Sequence, residues 1–141
     1  MIRSLFMLTT FLVLSCTSYA RAQMTIYSYA NDKNYRTEVT REALQASPTW
    51  KNDAENPPLS ALKARHLADE ARARLVKNTV NFTWRLESIE LTPTSVGGKW
   101  FWLARYGRQL NGNSEGQYPF LKVVVLMDGS VTEQTSFKNR D

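Results

Sequence analysis

The chain has 141 residues, 43% of them hydrophobic and 22% charged, with a formal net charge of +5, one cysteine and one histidine. That length and apolar content suit one folded domain and exclude a disordered chain, while a lone Cys16 and a lone His66 exclude a disulfide framework and a zinc site built from Cys and His. The charge excludes a nucleic-acid footprint, because Lys63, Arg65, Arg72, Arg74 and Lys77 are interleaved with Asp69 and Glu70 as on a solvated helix face.

Residues 1 to 22 read as an export signal. Arg3 supplies a positive start, Leu5 to Leu14 is nearly all apolar, and Ala20-Arg21-Ala22 offers small residues at alternate positions to a signal peptidase. A membrane-spanning helix needs roughly 20 apolar residues, and Thr9, Thr10 and Ser15 interrupt this run. A cut after Ala22 takes two of the 18 basic residues, Arg3 and Arg21, and leaves +3 against 13 acids. It leaves residues 23 to 141 as a single α+β domain without cysteine, held by burial alone, as suits a periplasmic or secreted bacterial protein. A second cut competes with it: Val13-Leu14-Ser15-Cys16 resembles the lipobox of bacterial lipoproteins, with a bulky Leu14 where a small residue is preferred. Membrane association is expected only if Cys16 is lipidated.

Met24 to Ala30 has the β-branched and aromatic character of a short strand, and Asn31 to Asn34 is turn-forming. Tyr35 to Trp50 fits a strand or a helical turn, then gives way to an irregular loop over residues 46 to 60 that holds Trp50 as a core plug. Ser60 caps a helix from Ala61 to about Lys77, with Leu59 before the cap and Ala64, Leu67, Ala68, Ala71 and Leu75 along one side. His66 falls on the opposite, solvent side. Strands follow at residues 81 to 91, 99 to 106, 118 to 127 and 130 to 137, with a two-residue hairpin signal at Asp128-Gly129. The expected fold is therefore α+β, one main helix packed on an antiparallel meander of about four strands.

A helix with spaced alanines, then three antiparallel strands ending in Asp128-Gly129-Ser130-Val131, resembles the PepSY-like modules of protease propeptides and bacterial envelope proteins over about residues 60 to 133. That family usually carries Asp-x-x-Thr-Gly-x-Val at this point and a shorter loop than residues 107 to 117. The order of elements is equally similar to a cystatin-like fold, although Gln109-Leu110-Asn111-Gly112 lacks the spacing of the inhibitory Gln-x-Val-x-Gly loop. The PepSY resemblance implies a binding or regulatory module with no catalytic set to carry over.

Gly97-Gly98-Lys99 lacks the flanking glycine and strand-to-helix context of a phosphate-cradling loop. Asp32, Glu38, Glu87, Glu90 and Glu115 are candidates for two-carboxylate hydrolysis if the fold brings two of them together. No cofactor and no metal is expected. By residue-number parity, Leu91, Phe101, Leu103, Leu121, Val123, Val125 and Met127 share one face, suited to lie under the helix. Trp84, Leu86, Trp100, Trp102, Tyr106, Tyr118, Phe120, Val124 and Leu126 share the other. Three covers for that aromatic face stand side by side: the N-terminal segment with Tyr27, Tyr29 and Trp50; a protein partner or identical subunit; or a small apolar ligand, glycan or peptide with Arg105, Arg108 or Lys122 at its rim. Trp84, Trp100, Trp102 and Tyr118 are the candidate binding residues. The expected function is an exported, non-enzymatic binding or regulatory module of the cell envelope. A small secreted hydrolase with paired carboxylates and a glycan- or small-ligand-binding protein are the alternatives.

Overall fold

The computed structural model describes residues 22–51, 53, 56–116 and 119–138. The export segment up to Arg21, with Cys16, and the candidate Tyr118 lie outside them.

Two strands form before any helix. β1 (Ala22–Ala30) and β2 (Lys33–Thr40) make a hairpin around Asn31 and Asp32, whose φ values of 51° and 56° are left-handed conformations that Asn and Asp tolerate. The stretch that fits strand or helix becomes both, since Thr40 ends β2 and accepts from the Ala43 N–H at 3.2 Å to cap α1 (Arg41–Ala46). Ser60 caps α2 (Ala61–Leu75), accepting from the Lys63 N–H at 3.3 Å, and Ala64, Ala68 and Ala71 form its buried stripe. β3 (Phe82–Pro93), β4 (Trp100–Leu110), β5 (Asn113–Ser114), β6 (Phe120–Leu126) and β7 (Gln134–Phe137) complete the chain.

The expectation of one helix on about four strands is corrected by this arrangement. A single antiparallel sheet of seven strands runs in the order β3-β4-β6-β1-β2-β7, with β5 paired to β4, and two helices accompany it. The N-terminal hairpin supplies two of the additional strands. The third comes from the Asn111-Gly112 turn, with φ of 49° and 83°, which folds Asn113 and Ser114 back on the end of β4. At Asp128-Gly129 the chain does turn, with a longer loop than two residues. Leu126 N donates to the Ser130 carbonyl and Gly129 N to the Leu126 carbonyl, both at 2.9 Å, so Met127 leaves the strand for the turn.

Register decides which side chains share a face. Trp102 lies opposite Val125, Ala104 opposite Val123 and Tyr106 opposite Leu121, so even positions of β4 face the same way as odd positions of β6. In β3, Leu86 pairs with Tyr106 and Ser88 with Arg105, leaving Glu87 as a bulge that moves the inward parity from Trp84 and Leu86 to Ile89 and Leu91. Both faces drawn from residue numbers are therefore mixed. The face beneath α2 holds Trp84, Trp102, Ala104, Tyr106, Leu121, Val123 and Val125, with Trp100 packed at its margin. The opposite face holds Phe101, Leu103, Val124 and Leu126, and Ile26, Val39 and Leu44 of the N-terminal segment cover it.

The outer edge of β6 is shared between two neighbours. Its first residue, Phe120, pairs with Tyr29 of β1, whereas Val125 bridges to Val131 and Thr132 N donates to the Val124 carbonyl at 3.1 Å. Between these points side chains take over from the backbone. Lys122 N donates to Ser28 Oγ at 2.9 Å, and the Lys122 carbonyl accepts from Gln134 Nε2 at 2.6 Å.

Candidate binding site

Trp84 and Trp102, expected on an open aromatic face, are 5% and 8% exposed beneath α2. The Trp102 indole donates to the Leu59 carbonyl at 2.9 Å, tying the entry of α2 to β4. Trp84 is held through its backbone, whose N–H donates to Asn78 Oδ1 at 2.7 Å. Of the described candidates, Trp100 lines a surface cleft, together with Trp50.

The expected rim cations are divided between the two faces of β4. Arg105 donates to Glu87 Oε2 at 2.8 Å and lies 4.6 Å over the Phe120 ring, and the Lys122 ammonium stands 5.4 Å from the same ring. Arg108 points the other way, pairing with Glu115 and lying 4.5 Å over Phe82. Gly107 allows the first of these arrangements, because a Cβ there would collide with the Glu87 carboxylate that reaches across to Arg105. The five candidate carboxylates each have a separate partner. Asp32 accepts from Tyr29, Glu38 pairs with Arg36, Glu87 with Arg105 and Glu115 with Arg108, and Glu90 accepts from Ser88. His66 is exposed on α2. No group of three His, Cys, Asp or Glu side chains suited to a metal ion occurs among the described residues.

One group is strongly perturbed. Burial pushes the Tyr106 hydroxyl far above the ordinary tyrosine value, aided by its hydrogen bond to Asp69 Oδ1 at 2.8 Å and by that carboxylate's charge; Arg72 and Arg65 oppose the shift. Tyr106 faces the helix inside the core, where it joins β4 to α2.

A second cleft was not legible in the sequence. It has a volume of about 300 Å³ and lies between the C-terminal half of α2 and the segment preceding β7. Ala71, Leu75, Val123 and Val131 give it an apolar floor, and Arg74, Thr132, Glu133 and Gln134 line the rest. Gln134 is oriented by its bond to the Lys122 carbonyl, which commits its amide nitrogen and leaves Oε1 buried without a donor among the described residues. Thr132 Oγ1 is likewise buried without a partner among the described residues, and so is Thr37 Oγ1 on β2 directly opposite Gln134. Each such atom costs about 1–3 kcal/mol unless a group from outside the protein satisfies it. The signal for this cleft is spread over α2, β6 and residues 131–134, so no local spacing marks it.

No family model, no curated protein and no solved structure matches the chain.

Proposed function

We propose that this protein is an exported, non-catalytic binding module, and that the cleft between α2 and residues 131–134 takes a small ligand with an apolar part and hydrogen-bond donors. The observation that carries the reading is that the residues lining one cleft supply both an apolar floor and, on Thr132 and Gln134, buried oxygens with no partner among the described residues. Leu75, Val123 and Val131 would cover an aliphatic group, and an N–H or O–H of the ligand would answer Gln134 Oε1 and the Thr132 hydroxyl once those buried side chains turn into the cleft. The order α2, β3, β4, β6 is also the order on which the PepSY-like resemblance rests, and that resemblance implies binding or regulation. Export is supported by the Ala20-Arg21-Ala22 cut site. N-terminal sequencing of the secreted or periplasmic protein is expected to begin at Gln23, and an acylated Cys16 as the first residue would replace export in soluble form by membrane anchoring.

The test of the site is amide chemical-shift mapping with aliphatic amides and amines of about four to six carbons, a size suited to a small pocket. Perturbations are expected at Ala71, Leu75, Val123 and Thr132. Thr132→Val, which removes the hydroxyl and keeps the shape, is expected to weaken the response while stability stays level or rises, because an unpaired buried hydroxyl is lost. Shifts that avoid these residues for every probe would refute the site.

A further inference from the structure

We infer that the Trp50–Trp100 cleft is a second, independent binding site, and that its ligand class is a neutral carbohydrate. The two indoles meet edge to face, with ring centres 5.2 Å apart and planes at 74°, and they line an open cleft of about 400 Å³ together with Lys51, Asp53 and the turn at Gly98. The walls are built in advance of any ligand. Trp50 N donates to the Gly98 carbonyl at 2.9 Å, and Gly98 has φ of +67° with its Cβ position closed by Thr49, so this turn requires glycine. Lys99 fastens the same turn to the end of α1 by donating to the Gln45 and Ser47 carbonyls. Trp100 stands on the core beneath α2.

The chemistry of the lining selects the ligand. Indole faces take flat, C–H-rich surfaces. Lys51 is a donor and Asp53 an acceptor, both exposed, and together they match hydroxyl groups, which donate and accept. Their opposite charges disfavour a strongly ionic ligand of either sign, and a purely aliphatic one would leave both unanswered. A pyranose ring has C–H-rich faces and a girdle of hydroxyls. The Trp50 Nε1 atom is a separate sign of an unfilled role, since it is buried and has no acceptor among the described residues.

Titration of the full exported protein with maltohexaose, cellohexaose and chitohexaose, followed by tryptophan emission and by the Trp50 and Trp100 indole N–H resonances, tests the assignment. At least one probe is expected to shift both resonances and to saturate in the millimolar range or below. Lys51→Ala and Asp53→Asn, on exposed side chains, are each expected to reduce that affinity by at least about tenfold, as when a charged hydrogen bond is removed, with melting unchanged. Trp50→Phe keeps an aromatic wall and should weaken binding without abolishing it. No response to any of the three probes at about ten millimolar would overturn the inference, given that this concentration exposes even millimolar affinities. So would binding that persists unchanged in the Lys51 and Asp53 variants. Because the α2 cleft shares no residue with this site, the amide response there is read independently of either outcome.

Discussion

The two faces of the sheet are closed by different chemistry. Beneath α2 the aliphatic side chains of Leu121, Val123 and Val125 are joined by large aromatic ones, and two of these are tethered to the helix or its entry: Trp102 to the Leu59 carbonyl and Tyr106 to Asp69. The other face is closed by a smaller, mainly aliphatic cluster of Ile26, Val39, Leu44, Phe101, Val124 and Leu126. Its cover comes from the other end of the chain and is anchored at the margin, by Lys99 to the end of α1 and by Gln23 Nε2 to Ser95 Oγ at 2.7 Å. Both faces are held by contacts between residues distant in sequence, but one cover is a single capped helix, whereas the other contributes only once β1, β2 and α1 are all in place.

The strongest test of that contrast is Trp102→Ala. It removes a core indole and leaves the Leu59 carbonyl without its donor, and about 3–5 kcal/mol of stability should be lost in chemical denaturation. A loss below about 0.5 kcal/mol would place Trp102 outside the core, since ordinary surface changes stay within that range. Leu44→Ala tests the second face. Leu44 is fully buried and is the sole buried residue of α1. The expected loss is about 2–3 kcal/mol, at the low end of leucine truncations because a helix of one and a half turns can settle into the space. A greater loss at Leu44 than at Trp102 would reverse the ranking of the two faces.

What the sequence disclosed follows the same division. α2 was legible because its signals are local: Ser60 at the cap, Leu59 before it and alanines at helical spacing. Its sheet partners were legible as strands, and their facing was not. Parity carries across a hairpin only when the register is known, and Trp102 opposite Val125 joins an even position to an odd one. The bulge at Glu87 changes parity inside a single strand and has no marker in composition. The covering hairpin was half legible, since Met24 to Ala30 reads as a strand while Tyr35 to Thr40 changes character at the Thr40 cap. Trp50 reads as a core plug, and only the distant Gly98 turn shows that it is one wall of a cleft with Trp100. The α2 cleft depends on Thr132 and Gln134 standing against Leu75 and Val123, a juxtaposition that no window of sequence contains.

Tyr106→Phe separates tethering from filling on the α2 face. The ring remains and only the hydroxyl bonded to Asp69 is lost, so the cost should be about 1.5 kcal/mol, the low end for a hydrogen bond to a charged group. The pH dependence has a definite sign. The folded hydroxyl ionises well above the ordinary value of 10.0, because burial and then Asp69 disfavour the phenolate. The stabilisation is therefore complete below about pH 10 and is lost as the pH rises from there towards the folded value. Denaturation between about pH 8 and 11 should show the native protein losing stability at the alkaline end and the Phe variant losing less. Parallel profiles would show that Tyr106 ionises as freely in the folded protein as in the unfolded chain.

The smallest effect is expected on the outer side of α2, which belongs to neither face. His66 is exposed there, on the side away from the buried Ala64, Ala68 and Ala71, and it lines neither cleft. Its imidazole therefore has little to lose on replacement, and alanine favours a helix interior by a few tenths of a kcal/mol. His66→Ala should leave stability within about 0.5 kcal/mol, with any change towards greater stability, and should leave ligand responses at both clefts unaltered. A loss above about 1 kcal/mol, more than an ordinary surface substitution costs, would mean that the outer side of α2 is itself a contact surface. The helix would then have to be described as buried on two sides, and the contrast between a face sealed by α2 and one sealed by the N-terminal segment would no longer account for where the stability lies.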